Sequence, residues 1–189
     1  MSVAANYGNV LFEIQMNDDE VDYMVSFIKK LPDHALMVEW GSGGSTCKWL
    51  ENLNDSQRLI TVEHSSEWYE KVKKAIDNHF GDISTKLSFL YCPEEEGFNH
   101  GYASMNEENP VGLKSYICPA IPSFFDADLF FIDGLARSTC ALAVSLKQTN
   151  QTASIFIHDY IGREQWYEWI TSFFTVEKVG TTLVRLHKR

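Results

Sequence analysis

A doubly wound α/β fold built on a mostly parallel sheet is predicted for this chain by three observations. Five short apolar runs alternate with stretches of helical periodicity, the order expected of strands joined by crossover helices. The runs show little polar alternation, which marks strands buried on both faces. Four of them end in an acid, Glu39, Glu63, Asp133 and Asp159, and so place four carboxylates along one edge of one sheet.

The elements follow in order. Residues 1–16 have no clear periodicity and read as an N-terminal arm. From Asn17 the pattern turns helical: Val21, Met24, Val25, Ile28 and Leu31 form one stripe, Asn17 with Glu20 makes a capping box, and Pro32 ends the helix. Leu36 to Trp40 is the first strand, and Thr46 to Leu53 a short helix with Trp49, Leu50 and Leu53 inward. Arg58 to Glu63 is the second strand. Ser65 or Ser66 then caps a helix whose inward face carries Trp68, Val72, Ala75 and Ile76. Leu87 to Tyr91 is the third strand.

Residues 92–127 are rich in Gly, Pro, Asn and Glu and show no clear element. A segment of that length in a compact domain is usually functional, and it reads as a substrate lid. Asp128 to Ile132 is the fourth strand, Ser138 to Gln148 a helix, and Ser154 to His158 the fifth strand. Arg163 to Phe174 reads as a helix with Trp166, Trp169, Ile170 and Phe173 inward. Two final runs, 175–179 and 182–187, joined at Gly180-Thr181, close the chain as an antiparallel hairpin. Residues 17–189 thus form one domain.

Composition narrows the function. Formal net charge is −10 with no block of lysine or arginine, which argues against a nucleic-acid backbone as partner. No apolar run nears the roughly 20 residues that span a bilayer. The N-terminus has no basic-then-apolar signal pattern. Four scattered cysteines without a C-x-x-C pair suit free thiols in a reducing compartment, so a cytoplasmic protein with a small-molecule substrate is expected.

The first strand runs into Glu39-Trp40-Gly41-Ser42-Gly43-Gly44-Ser45-Thr46, a glycine turn opening a helix, where a ligand can approach bare backbone. Such a run alone is often a plain surface turn. Glu63 follows Gly41 by 22 positions at the end of the next strand, placed for the hydroxyls of a ribose. The sixth position counted from Gly41 is Thr46, where a dinucleotide fingerprint wants glycine. A carboxylate two residues before the first glycine repels a diphosphate and attracts a cation. A nucleoside carrying positive charge and no phosphate, such as S-adenosylmethionine, fits both facts.

Glu39-x-Gly41-x-Gly43, Glu63, Asp133 and the terminal hairpin together resemble the class I S-adenosylmethionine-dependent methyltransferases over about residues 34–189. Within them the chain looks most like a small methyltransferase-like group, with a fainter likeness through Phe156-Ile157-His158-Asp159 to plant glucuronoxylan O-methyltransferases. The resemblance implies a Rossmann-like sheet and transfer of a methyl group to oxygen or nitrogen of a small molecule or sugar. It implies that Glu39 orients the loop and approaches the methionine amino group. Gly41, Ser42 and Gly43 would pass under the methionine and ribose, Glu63 would hold the ribose, His64 would lie against adenine, and Asp133 would face donor and acceptor.

A hydroxyl acceptor also needs a base or a metal. Candidate bases are His158, Asp159, Asp133 and His100. Asp133 and Asp159 are candidate Mg²⁺ ligands, although Tyr160 stands where the metal-dependent members carry Asn. Tyr102 and Tyr116 in the lid, and Arg137 against a substrate carboxylate, are candidate substrate contacts. Two other readings remain at this point: an NAD(P)-binding oxidoreductase, and a non-catalytic binding protein on the same fold.

Overall fold

The computed structural model describes residues 3–95 and 112–189. Its centre is a seven-stranded sheet containing β3 (Leu36–Trp40), β4 (Arg58–Glu63), β5 (Leu87–Tyr91), β6 (Leu129–Ile132) and β7 (Ser154–Ile157). The sheet is completed by β8 (Phe174–Lys178) and β9 (Val184–Lys188). The order is β5-β4-β3-β6-β7-β9-β8, parallel from β5 through β7, with β9 antiparallel to both β7 and β8. This is the doubly wound sheet with a C-terminal hairpin that the sequence predicts.

Period-two alternation sorts the strand residues between two cores. Leu36, Val38 and Trp40 of β3 face one side, packed with Phe130, Ile132 and Tyr116. Met37 faces the other, packed with Phe131, Trp49 and Phe156. Helices α1 (Asp18–Ile28), α2 (Gly44–Asn52) and α3 (Ser66–Phe80) contribute to this second core. Helix α4 (Lys114–Ile117) and α5 (Arg137–Lys147) contribute to the first.

The capping box at Asn17 and Glu20 forms as read, and Glu20 does more than cap. Its Oε1 accepts the backbone N–H groups of Thr182, at 2.6 Å, and Leu183, at 2.9 Å, tying the start of α1 to the closing hairpin.

Four expectations differ. Residues 3–14 are a hairpin, β1 (Val3–Tyr7) and β2 (Val10–Ile14), with Tyr7, Phe12, Ile14 and Met16 buried in the second core. Its signal is the Gly8-Asn9 pair, whose φ values of 55° and 66° make the turn that matches strand twist. Residues 163–174 form one short helix, α6 (Glu164–Tyr167), and a 3₁₀ segment, Glu168–Ser172. There Tyr167 and Ile170 face inward, while Trp169 and Phe173 are each 41% exposed. Trp68 is not a core residue either, at 37% exposure.

The fourth difference concerns the lid. Leu113, Tyr116, Ile117, Phe124 and Ala127 are buried in the first core, so the described part of that segment is a strap sealing the sheet. Pro119 and Pro122 break its apolar residues into short pieces without helix or strand periodicity, which hid this in a stretch that otherwise reads as loop. His100 and Tyr102 lie outside the described residues.

Candidate active site

After β3 the chain runs outward through β4 and β5, then returns to place β6 on the other side of β3. The carboxyl ends of β3 and β6 therefore border the crevice where doubly wound sheets bind ligands. Gly41 and Gly134 meet there. Gly41 has φ +87°, and a Cβ on it would lie 2.7 Å from Gly134 Cα and 2.8 Å from the Asp133 carbonyl oxygen. Both loops need glycine because their backbones touch.

Behind the loop, Glu39 is fully buried and points to the α2 side of the sheet. Its carboxylate accepts four side-chain donors: Ser45 Oγ (2.9 Å), Thr46 Oγ1 (2.7 Å), Trp49 Nε1 (3.0 Å) and Thr61 Oγ1 (2.8 Å). Thr46 Oγ1 in turn accepts the Gly43 N–H at 2.8 Å. Burial pushes the Glu39 carboxyl up to about 7, with the hydroxyl donors pulling against it. Through Ser45 and Thr46, Glu39 is bonded to the start of α2 and, by way of Thr46, to Gly43. With no exposure and its acceptors filled, it makes no approach to a ligand in this arrangement, unlike the expected approach to a methionine amino group.

Glu63 is 3% exposed and also saturated. One oxygen accepts the Ser42 N–H (3.1 Å) and hydroxyl (3.0 Å), and the other accepts the N–H groups of His64 and Ser65, both at 2.9 Å. Burial raises its carboxyl, but hydrogen bonds from His64, Ser65 and Ser42 outweigh this and hold it below the ordinary range. His64 Nδ1 stands 3.0 Å from Glu63, and its ring meets Tyr116 edge-on at 5.7 Å. Tyr116 is wholly buried, its hydroxyl accepting the Leu135 N–H at 3.2 Å. It packs the loop junction and is unavailable to a substrate, contrary to expectation.

A cleft of about 330 Å³ opens in front of the loop, walled by residues 41–45, Trp68, Asp133, Arg137 and Asp159. Its remaining wall is the N-terminal hairpin with Glu13, Ile14 and Gln15. Neither that wall nor Trp68 was foreseen. The Trp68 indole donates to the Ser42 carbonyl oxygen at 2.5 Å and sits edge-on to Phe12 at 6.0 Å, joining loop to hairpin. A signal existed for it: the first turn of α3 starts at the ligand edge of the sheet, and Trp68 lies in that turn.

At the far end, Asp133, His158 and Asp159 converge. His158 is fully buried, with Nδ1 2.8 Å from Asp133 Oδ1. Burial lowers the pKa of His158, but Asp133, by charge and hydrogen bond, and Asp159 outweigh it and hold it above the ordinary value. Asp159 has φ +55°, a left-handed conformation that costs a non-glycine residue about 1–3 kcal/mol and tends to occur where function holds it. Asp133 and Asp159 keep side-chain exposures of 19% and 27% and face the cleft. His158 does not, so as a base it would have no line to an acceptor; its place is behind Asp133.

Arg137, the first residue of α5, has only 8% exposure. Nε donates to the Gly134 carbonyl oxygen (3.0 Å) and Nη1 to that of His158 (2.9 Å). Its guanidinium lies 3.5 Å from Asp133 and 3.4 Å from Asp159. The residue turns inward toward these partners, so the geometry gives no support to the expected substrate carboxylate.

No family model matches the chain, and no curated protein matches it by sequence. Solved structures do resemble it. A methyltransferase-like protein from Silicibacter pomeroyi shares 18% identity at a TM-score of 0.74, over 94% of this chain and 89% of that one. A methyltransferase from Podospora anserina, solved with S-adenosylhomocysteine, shares 12% at 0.63, over 93% and 80%. A precorrin-6y C5,15-methyltransferase from Geobacter metallireducens shares 14% at 0.59, over 92% and 90%. The fold of this chain is therefore the Rossmann-like fold of the class I methyltransferases.

Proposed function

We propose that the protein is an S-adenosylmethionine-dependent methyltransferase acting on oxygen or nitrogen of a small molecule or sugar. The observation that carries this reading is the chemistry of the cleft. A glycine loop at the sheet's switch point faces Asp133 and Asp159, with Glu13 and an indole also on the border, and these three acids outnumber Arg137, the one cation lining the cleft among the described residues. That surrounding favours a cation-bearing nucleoside over a dinucleotide, whose diphosphate it would repel.

In this reading the backbone of residues 41–43 passes beneath the methionine and ribose. The ribose hydroxyls take the acceptor position on Glu63 that the Ser42 hydroxyl now fills, and His64 lies beside the adenine. The cofactor when bound supplies an electrophilic methyl on a sulfonium sulfur. Transfer is an in-line displacement, so alignment and exclusion of water carry much of the rate. The hairpin wall and Trp68 serve that exclusion. Asp159 accepts the acceptor's proton, and His158 positions Asp133.

Calorimetry with S-adenosylhomocysteine and with NAD separates the readings. Saturable binding of S-adenosylhomocysteine alone is expected; binding of NAD alone would make the protein an oxidoreductase. Binding of neither would leave the fold as a non-catalytic scaffold.

A further inference from the structure

The ligand atoms of Asp133, His158 and Asp159 all lie within 4.8 Å of one another, a donor set spaced for a divalent cation. The residues around it do not fit one. The Arg137 guanidinium already lies against both carboxylates, at 3.5 Å and 3.4 Å, where it would repel a metal ion. It is pinned there by the carbonyl oxygens of Gly134 and His158, one from each strand-end loop. His158 sets Nδ1 2.8 Å from Asp133 Oδ1 and so fixes the orientation of that carboxylate from behind.

A second observation is independent of these distances. Arg137 opens α5, where the helix dipole disfavours a cation. A nearly buried guanidinium at a helix N-terminus persists because adjacent carboxylates compensate it. The buried cation and the two acids are thus one unit, to which the more exposed Arg163 adds an outer contact on Asp159 at 3.4 Å.

We propose that Arg137 is the resident cation of this site. Its guanidinium holds Asp133 and Asp159 in the arrangement a divalent ion would otherwise impose, and removing it converts the Asp133–His158–Asp159 cluster into a divalent-metal site. The consequence for catalysis, an acid pair organised without metal, rests on the methyltransferase reading. The placement of the cation does not, and it is tested without cofactor.

The purified protein is titrated with Mn²⁺ and the free ion is followed by electron paramagnetic resonance. Wild type is expected to show no saturable binding. Arg137→Ala is expected to gain one saturable Mn²⁺ per chain, lost again in the Arg137→Ala/Asp159→Asn double variant. Arg137→Lys, which keeps a cation, is expected to stay metal-free. Should Arg137→Ala fail to fold, as judged by circular dichroism, Arg137→Met removes the charge at similar volume and carries the same expectation. Saturable wild-type binding that Asp159→Asn abolishes would overturn the proposal, as would a folded Ala or Met variant that gains no Mn²⁺. Failure to bind S-adenosylhomocysteine would overturn the functional reading and leave this result standing.

Discussion

Glu63 accepts both the backbone N–H and the hydroxyl of Ser42 on a single oxygen, at 3.1 and 3.0 Å, so the end of β4 holds the glycine loop after β3 in place. The hydroxyl occupies the acceptor position that a ribose would use. Glu63→Ala is expected to weaken S-adenosylhomocysteine binding by about 1.5–3 kcal/mol, the range for hydrogen bonds to a charged group. Ser42→Ala is expected to leave the affinity unchanged or improved, because it frees that acceptor. Calorimetry on both variants decides; a Ser42→Ala loss as large as that of Glu63→Ala would put the hydroxyl on the ligand instead.

Gly41 and Gly162 share φ +87°, but only Gly41 faces a second backbone; nothing lies within 4 Å of a Cβ on Gly162. Alanine at Gly162 is expected to cost about 1–2 kcal/mol, the left-handed penalty alone. Alanine at Gly41 adds the collision with Gly134, about 1–3 kcal/mol more. Urea unfolding midpoints measure the difference, and equal losses would remove the close approach as the reason for glycine.

Glu39 gives stability a pH dependence. Its carboxyl rises from an ordinary 4.5 to about 7 on folding, so between those values the folded state holds a proton that the unfolded chain releases. Its contribution is fully present below pH 4.5 and lost as pH rises through 7, on the order of 1–3 kcal/mol. Glu63, held below its ordinary value, acts in the opposite sense, its contribution disappearing as pH falls into the acid range. Glu39→Gln is expected to flatten the decline between pH 5 and pH 7, measured by urea unfolding at several pH values. A slope equal to wild type would assign it to another group.

Trp68 borders the cleft at 37% exposure, whereas Trp40 and Trp49 are wholly buried. Ligand binding is expected to change the intrinsic fluorescence, and Trp68→Phe to abolish the change. Trp68→Ala should weaken S-adenosylmethionine more than S-adenosylhomocysteine, by about 0.5–2 kcal/mol, since only the former brings a sulfonium to the indole. Equal weakening would make the indole a steric wall alone.

Much of this protein is written in local pattern. The β3, β4 and β5 boundaries, the capping box at Asn17 and Glu20, and the carboxylates at the ends of the central strands follow from runs of adjacent residues. Such features depend on neighbours close in the chain, as does the turn at Gly8-Asn9, and are legible there. Pairings over long separations are not. That Glu39 is sealed by Thr61 and Trp49, that Arg137 lies between Asp133 and Asp159, and that Tyr116 fills the junction at Gly134 depend on how loops pack in space. Charge shows the same division. The sequence by itself determined an acidic edge suited to a cation, because strand ends converge in any doubly wound sheet. Only the tertiary structure decided which acids stay open to the cleft and which are already satisfied, because burial and donor geometry are set by residues far apart in the chain.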